Sequence, residues 1–165
     1  MTKGDRMMMA IEEKTVKDQR VAIINYKGNI EDMEVLIARL MGWIETEEVE
    51  LAGDIFAIYY NNMKRFKDAE DVVYDLGIPI ADGQEIDDTP LLSIEKLIEH
   101  RVLSALHKGP LDNIREIYEE IAGFADENHY DIIGSPQENY IKTSYEVDNP
   151  EDMITEIQLP VIKMD

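Results

Sequence analysis

Two periodicities alternate along the chain and predict its elements. At Ile154 to Val161, Thr155, Ile157, Leu159 and Val161 fall on one side of a two-residue period, and Ile154, Glu156 and Gln158 fall on the other. That is a strand with one apolar face. Pro160 near its end suits a sheet edge or a strand terminus. VAIINYKG from Val21 and VLSALHKG from Val102 read as strands closed by a glycine turn, as do DIFAIYYNN, DVVYDLGIPI and PQENYIKTSY. Between them the period changes to three and four. Ile30, Met33, Ile37, Leu40, Met41 and Ile44 form one helical stripe, and Leu111, Ile114, Ile117, Tyr118 and Ile121 form a second. Pro110 sits where a helix accepts proline, at its first position.

The elements repeat. A shift of 81 residues lays the second half over the first without a gap. Lys27-Gly28 meets Lys108-Gly109, Gly42-Trp43 meets Gly123-Phe124, Gly53 meets Gly134, Tyr59 meets Tyr140, and Pro79 meets Pro160. The matches fall on positions where backbone geometry is constrained. Repeat 1 spans 10–82 and repeat 2 spans 91–163, with the polar linker GQEIDDTP at 83–90 between them. Each repeat reads strand–helix–strand–strand. The fold class predicted is α+β, with two pseudo-symmetric modules forming one mostly antiparallel sheet, both helices on one face, and a central cleft. One module alone has too small a core, so the two are expected to fold as a single domain over 10–163. Tyr74, Leu76, Ile78 and Ile80 supply the apolar face beneath the first helix. Thr155, Ile157, Leu159 and Val161 supply it beneath the second. That sends Glu156 and its repeat partner Asp75 to the face away from the helices.

Composition narrows the function. The 165 residues contain no cysteine, which excludes disulfides, a thiolate nucleophile and a cysteine zinc site. No apolar run is long enough to span a bilayer, and the start, MTKGDRMMMAIEEK, lacks the pattern of a secretory signal. A cytoplasmic protein without membrane contact is expected. The formal net charge is −20, from 36 acids against 16 bases. DNA binding relies on lysine and arginine displacing counterions, so direct DNA binding is not expected. An acidic surface concentrates cations.

The segment GSPQENYIKTSYEVDNPEDMITEIQLPV, Gly134 to Val161, resembles the C-terminal half of the GyrI-like small-molecule-binding superfamily, which includes effector-binding domains of AraC-type and MerR-type transcription regulators. EHRVLSALHKGPL resembles the family's strand leading into its second helix, and GWIETEEVELAGDIFAIYYNN and VVYDLGIPI resemble its first half. The resemblance runs from about Ile11 to Lys163. Ser135 and His107 depart from the family's commoner residues. The resemblance implies a cleft for amphipathic, often cationic, organic molecules, anchored by a glutamate in the last strand, here Glu156. Tyr140 falls at the aromatic of the family's "E-x-Y" segment and Trp43 at its helix-end tryptophan. Fused members carry a helix-turn-helix ahead of this domain. Here only about nine residues precede the first strand, so a stand-alone module is expected.

The candidate ligand-binding residues are Glu156, Tyr140, Tyr59, Trp43, Phe56 and Phe124. A carboxylate in a partly apolar cleft is costly to desolvate, and an arriving cation restores its pairing. Empty, it is expected to have a raised pKa. Ring faces favour flat cations. Against these stand plainer readings: Glu156 as an outward acid on a wet strand face, each tyrosine as a sheet aromatic packed on a neighbour, and Trp43 and Phe124 as core filling. Tyr60, Tyr130 and Tyr145 are weaker candidates. Asp75 reads as a hydrogen-bonded structural acid before Gly77. His100, His107 and His129 show no metal-ligand spacing, and neither a metal nor a cofactor is expected.

Three functions follow. The first is an effector-domain-type protein that senses or sequesters a hydrophobic, cationic molecule, of the kind seen in multidrug binding. The second is a hydrolase of strained, cyclopropane-bearing electrophiles, with Glu156 and Tyr140 activating water. No nucleophile–histidine–acid set is legible, so binding stands ahead of catalysis. The third is an acidic inhibitor that mimics DNA against a topoisomerase-like protein.

Overall fold

The computed structural model describes residues 10–62 and 64–164. The first nine residues, on which the expectations about a signal and a preceding DNA-reading helix bear, lie outside the described residues. Nine strands are present among the described residues: β1 (Ile11–Val16), β2 (Gln19–Gly28), β3 (Phe56–Tyr59), β4 (Val72–Pro79), β5 (Ser93–Leu97), β6 (His100–Lys108), β7 (Tyr130–Ile132), β8 (Gln137–Lys142) and β9 (Ile154–Lys163). The helices are α1 (Met33–Thr46), the single turn α2 (Lys64–Lys67) and α3 (Ile114–Glu127). The chain is α+β, mostly strand, and the paired strands are antiparallel.

Two compact units result. The first, Lys17–Glu99, orders its strands β3-β4-β2-β5. The second joins β1 to the chain from His100 onward and orders its strands β1-β6-β9-β8, with β7 on the end of β9. The repeat is written into the register. Val21 faces Pro79 and Lys27 faces Val73; 81 residues on, Val102 faces Pro160 and Lys108 faces Ile154. Even the outer strands obey it: Arg20 faces Lys96 and Arg101 faces Thr15.

That last pairing shows how the units differ from the repeats at 10–82 and 91–163. The leading strand does not run unbroken into VAIINYKG. It stops at Val16, and β1 pairs with β6 of the later repeat, while β5 pairs with β2 of the earlier one. Each repeat gives its first strand to the other. Lys17-Asp18 lacks the glycine or asparagine that a two-residue hairpin requires, so β1 is not turned back onto β2. Asp18 instead accepts the Glu99 backbone N–H at 2.6 Å and pairs with Lys96 at 3.3 Å, and Lys17 pairs with Glu99 at 3.3 Å.

The helices cover the apolar face that the alternation predicts. Tyr74, Leu76, Ile78 and Ile80 are buried in the first unit, and Thr155, Ile157, Leu159 and Val161 in the second. α1 buries Leu36 and Leu40, and α3 buries Ile114, Ile117, Ile121 and Ala125. The α1 stripe is rotated from the one read in sequence, which leaves Met41 exposed. α3 begins at Ile114, four residues past Pro110, because Gly109 takes φ +110° and the chain turns before the helix starts. The opposite face of the first unit holds a separate apolar cluster of Val21, Ile23 and Phe56. There the Phe56 ring lies against Gly77: a β-carbon on that glycine would stand 2.6 Å from Phe56 Cζ.

Candidate functional site

Glu156 lies on β9 opposite Asn139 of β8 and Leu106 of β6. Alternation turns it away from Ile157 and hence from the helix-covered face. It is 8% exposed, so the plainer reading of an acid on a wet strand face does not hold. Its carboxylate accepts from Ser104 Oγ at 2.6 Å and Asn139 Nδ2 at 3.0 Å, and it pairs with Lys14 Nζ from β1. Gln137 Nε2 steadies the amide of Asn139 at 2.8 Å. Burial pushes the carboxyl pKa up, but the hydrogen bonds from Lys14, Ser104, Asn139 and Gln158 outweigh it and hold the group below its ordinary value. The expected rise is therefore not found. The physical reason is the exchanged strand, which delivers a lysine to the carboxylate.

Tyr140 is on the other side of this sheet. It faces Thr155, the residue before Glu156, so Tyr140 and Glu156 point to opposite faces and do not form the water-activating pair of the hydrolase reading. Its hydroxyl donates at 3.1 Å to Glu138, two residues earlier on the same face. Tyr118 of α3 donates to the second oxygen of Glu138 at 2.5 Å. Glu138 has no exposed surface. A fully buried carboxylate with two phenol donors, beneath a helix, is the most polarised group of this unit's helix-side face. Sequence reasoning passed over Glu138 and Tyr118. The signal was present: the two-residue period of QENYIK puts Glu138 beside Tyr140 and across from Ile157, and Tyr118 follows Ile114 by one helical turn.

The first unit answers with aromatics. Tyr59, Tyr74 and Tyr26 stand opposite one another on β3, β4 and β2, forming a row of three rings on the helix-side face. Their centroids are 5.9 and 5.7 Å apart, and the rings are tilted by about 50°. The guanidinium of Arg65, from α2, lies 3.9 Å above the Tyr59 ring. Tyr26 donates to Asp32, just ahead of α1. Tyr74 Oη is buried without a hydrogen-bond partner among the described residues. Burial raises its pKa well above the ordinary phenol, and the neighbouring Tyr59, Tyr26 and Asp32 add to that. The same three places in the second unit hold Tyr140, Thr155 and His107.

The remaining candidates divide. Phe56 is buried on the face opposite Tyr59, in the cluster with Val21 and Ile23. Trp43 and Phe124 are half-buried near the ends of α1 and α3. Asp75 accepts from Asn25 at 2.8 Å and from Tyr60, the structural role read for it. Tyr130 donates to Glu13 at 2.6 Å, and Tyr145 is exposed. His107 donates from Nε2 to the Pro110 carbonyl at 2.8 Å. Among the described residues no cluster of acids and histidines is arranged to hold a metal ion, and no helix is long and apolar enough to cross a membrane.

The fold matches solved structures along nearly its whole length. The C-terminal domain of EcmrR superposes with a TM-score of 0.79 at 20% identity, covering 96% of this chain and 100% of that one. A hydrolase from Listeria innocua gives 0.67 at 15%, covering 92% and 91%. SAV2435, solved bound to tetraphenylphosphonium, gives 0.54 at 13%, covering 93% and 94%. At these identities the likeness is one of fold. A search of the curated proteins returned no match. The family model for the GyrI-like small molecule binding domain, however, matches residues 9–162. With the duplicated register and the buried acid–phenol and tyrosine groups, this chain belongs to the GyrI-like small-molecule-binding domain family.

Proposed function

We propose that the chain binds a hydrophobic organic cation, as a sensing or sequestering module of the effector-binding-domain type, and that Glu138 anchors the charge. One observation carries this choice: Glu138 is a fully buried carboxylate whose oxygens are held by the phenols of Tyr118 and Tyr140. Phenol donors keep an anion oriented while leaving ring faces beside it for a flat cation. Glu156, the residue singled out in sequence, suits the role less well. Its charge is already matched by Lys14, and a ligand would have to displace that lysine. The tyrosine row of the first unit adds further cation-accepting ring faces. The tetraphenylphosphonium held by SAV2435, a neighbour in fold, is a ligand of the chemistry proposed. The net charge of −20 speaks against direct contact with DNA.

The test is an equilibrium titration with tetraphenylphosphonium. Native protein saturates at a defined stoichiometry. Glu138→Gln loses about 1.5–3 kcal/mol of binding, or roughly 10- to 100-fold in Kd, while Glu156→Gln binds as native does. Equal affinity in native and Glu138→Gln protein removes Glu138 as the anchor.

One observation favours a second reading. Tyr118, Glu138 and Tyr140 form an acid–phenol set of the kind that polarises water, so a hydrolase would work through Glu138 and not Glu156. Catalytic depletion of a strained electrophile, abolished in Glu138→Gln, distinguishes it from simple binding.

A further inference from the structure

We propose that Arg65 is a resident cation on the tyrosine row of the first unit, and that an organic cation binding there displaces it from the Tyr59 ring. The inference rests on the reading that the chain takes organic cations, and it assigns a second place where one is received. The geometry is that of a ligand already in its seat. The guanidinium is 3.9 Å from the Tyr59 centroid, inside the range of a cation–π contact. Behind Tyr59 the row continues through Tyr74 to Tyr26, and Tyr26 is fastened to the carboxylate of Asp32. Tyr74 Oη, fully buried and without a partner among the described residues, leaves a hydrogen-bond donor unspent within the row. Three rings, a carboxylate at one end, a free phenol donor and a cation at the other end make a site for a planar or delocalised cation that carries an acceptor.

Arg65 is suited to stand in for such a ligand. Guanidinium is planar, delocalised and weakly hydrated, which are the properties of lipophilic organic cations. A site that stabilises one stabilises the other. Arg65 is carried on α2, a single turn from Lys64 to Lys67. Its contact to Asn62 is long, at 3.4 Å, and its distance to the Phe66 ring is 5.8 Å. An element of one turn has little of its own structure to lose when the side chain swings out. The row therefore stays occupied until a stronger cation arrives, and Arg65 sets the affinity threshold and the selectivity.

The experiment titrates native, Arg65→Gln, Arg65→Lys and Glu138→Gln proteins with tetraphenylphosphonium by calorimetry. In parallel, the Arg65 Nε–H resonance is followed by NMR in the native protein, where the Tyr59 ring current shifts it. Removing the competing side chain should tighten binding roughly 3- to 30-fold in Arg65→Gln, with Arg65→Lys between it and native. The Nε–H resonance should move toward its free-arginine position as ligand is added. Unchanged or weaker binding in Arg65→Gln, with a stationary resonance while native protein saturates, overturns the inference; the functional reading still stands in that case if Glu138→Gln weakens binding. If neither native nor Arg65→Gln takes up the cation, both fall. Should Arg65→Gln fail to fold, the lysine variant and the resonance decide on their own.

Discussion

Replacing Lys14 with methionine removes the counter-charge of a buried carboxylate while keeping the length of the side chain. Glu156 then retains only neutral donors, from Ser104, Asn139 and Gln158, for a charge that has almost no access to water. Breaking a fully buried pair costs about 3–5 kcal/mol. The Lys14 side chain is 40% exposed, so solvent already screens part of its charge, and the cost falls to about 1–3 kcal/mol. For a chain of this size that lowers Tm by roughly 3–10 °C. The pH dependence fixes the cause. In the native protein the Glu156 pKa is held below its unfolded value, so its contribution to stability is present above the unfolded pKa and is lost as pH falls through the folded one. In Lys14→Met the folded pKa rises. The deficit against native protein is therefore largest at neutral pH and shrinks in acid, as the carboxyl protonates and no longer needs a cation. Urea unfolding of both proteins at pH 7 and near pH 4, with Lys14→Met/Glu156→Gln as the third arm, measures this. A Lys14→Met deficit that is absent at pH 7, or unchanged on acidification, refutes the reasoning, as does a double variant no more stable than Lys14→Met.

Two further changes probe the first unit. Gly77→Ala drives a methyl into the Phe56 ring and within 3.0 Å of the Ala22 carbonyl; it should cost about 1–3 kcal/mol, with Phe56→Leu in the same chain recovering part of it, read by urea midpoints. Tyr74→Phe removes a buried hydroxyl that has no partner among the described residues; it should leave stability unchanged or raise it by up to about 1 kcal/mol, and a loss above that would mean the hydroxyl is satisfied in solution.

Much of the architecture was legible because it is repeated and periodic. The shift of 81 residues survives in every strand pair, and the alternation at Thr155 to Val161 places Glu156 on the correct face. What was not legible is non-local. Nothing near Lys17-Asp18 announces that β1 pairs with β6 and not with β2; only the missing turn residues hint at it. Because β1 brings Lys14 to Glu156, the pKa direction of the acid was lost with the strand. Glu138 was legible and passed over: attention went to the last strand, although QENYIK carries the same period. Tyr26, Tyr59 and Tyr74 become a row only once the β3-β4-β2 order is known.

The most direct test of the account compares charge at constant shape. Tetraphenylphosphonium and the neutral triphenylphosphine oxide are titrated into native and Glu138→Gln protein under one buffer condition. The account predicts that native protein prefers the cation by at least about tenfold, and that most of this preference disappears in Glu138→Gln. Equal affinity for the two ligands in native protein, or a preference that survives loss of the Glu138 charge, contradicts it.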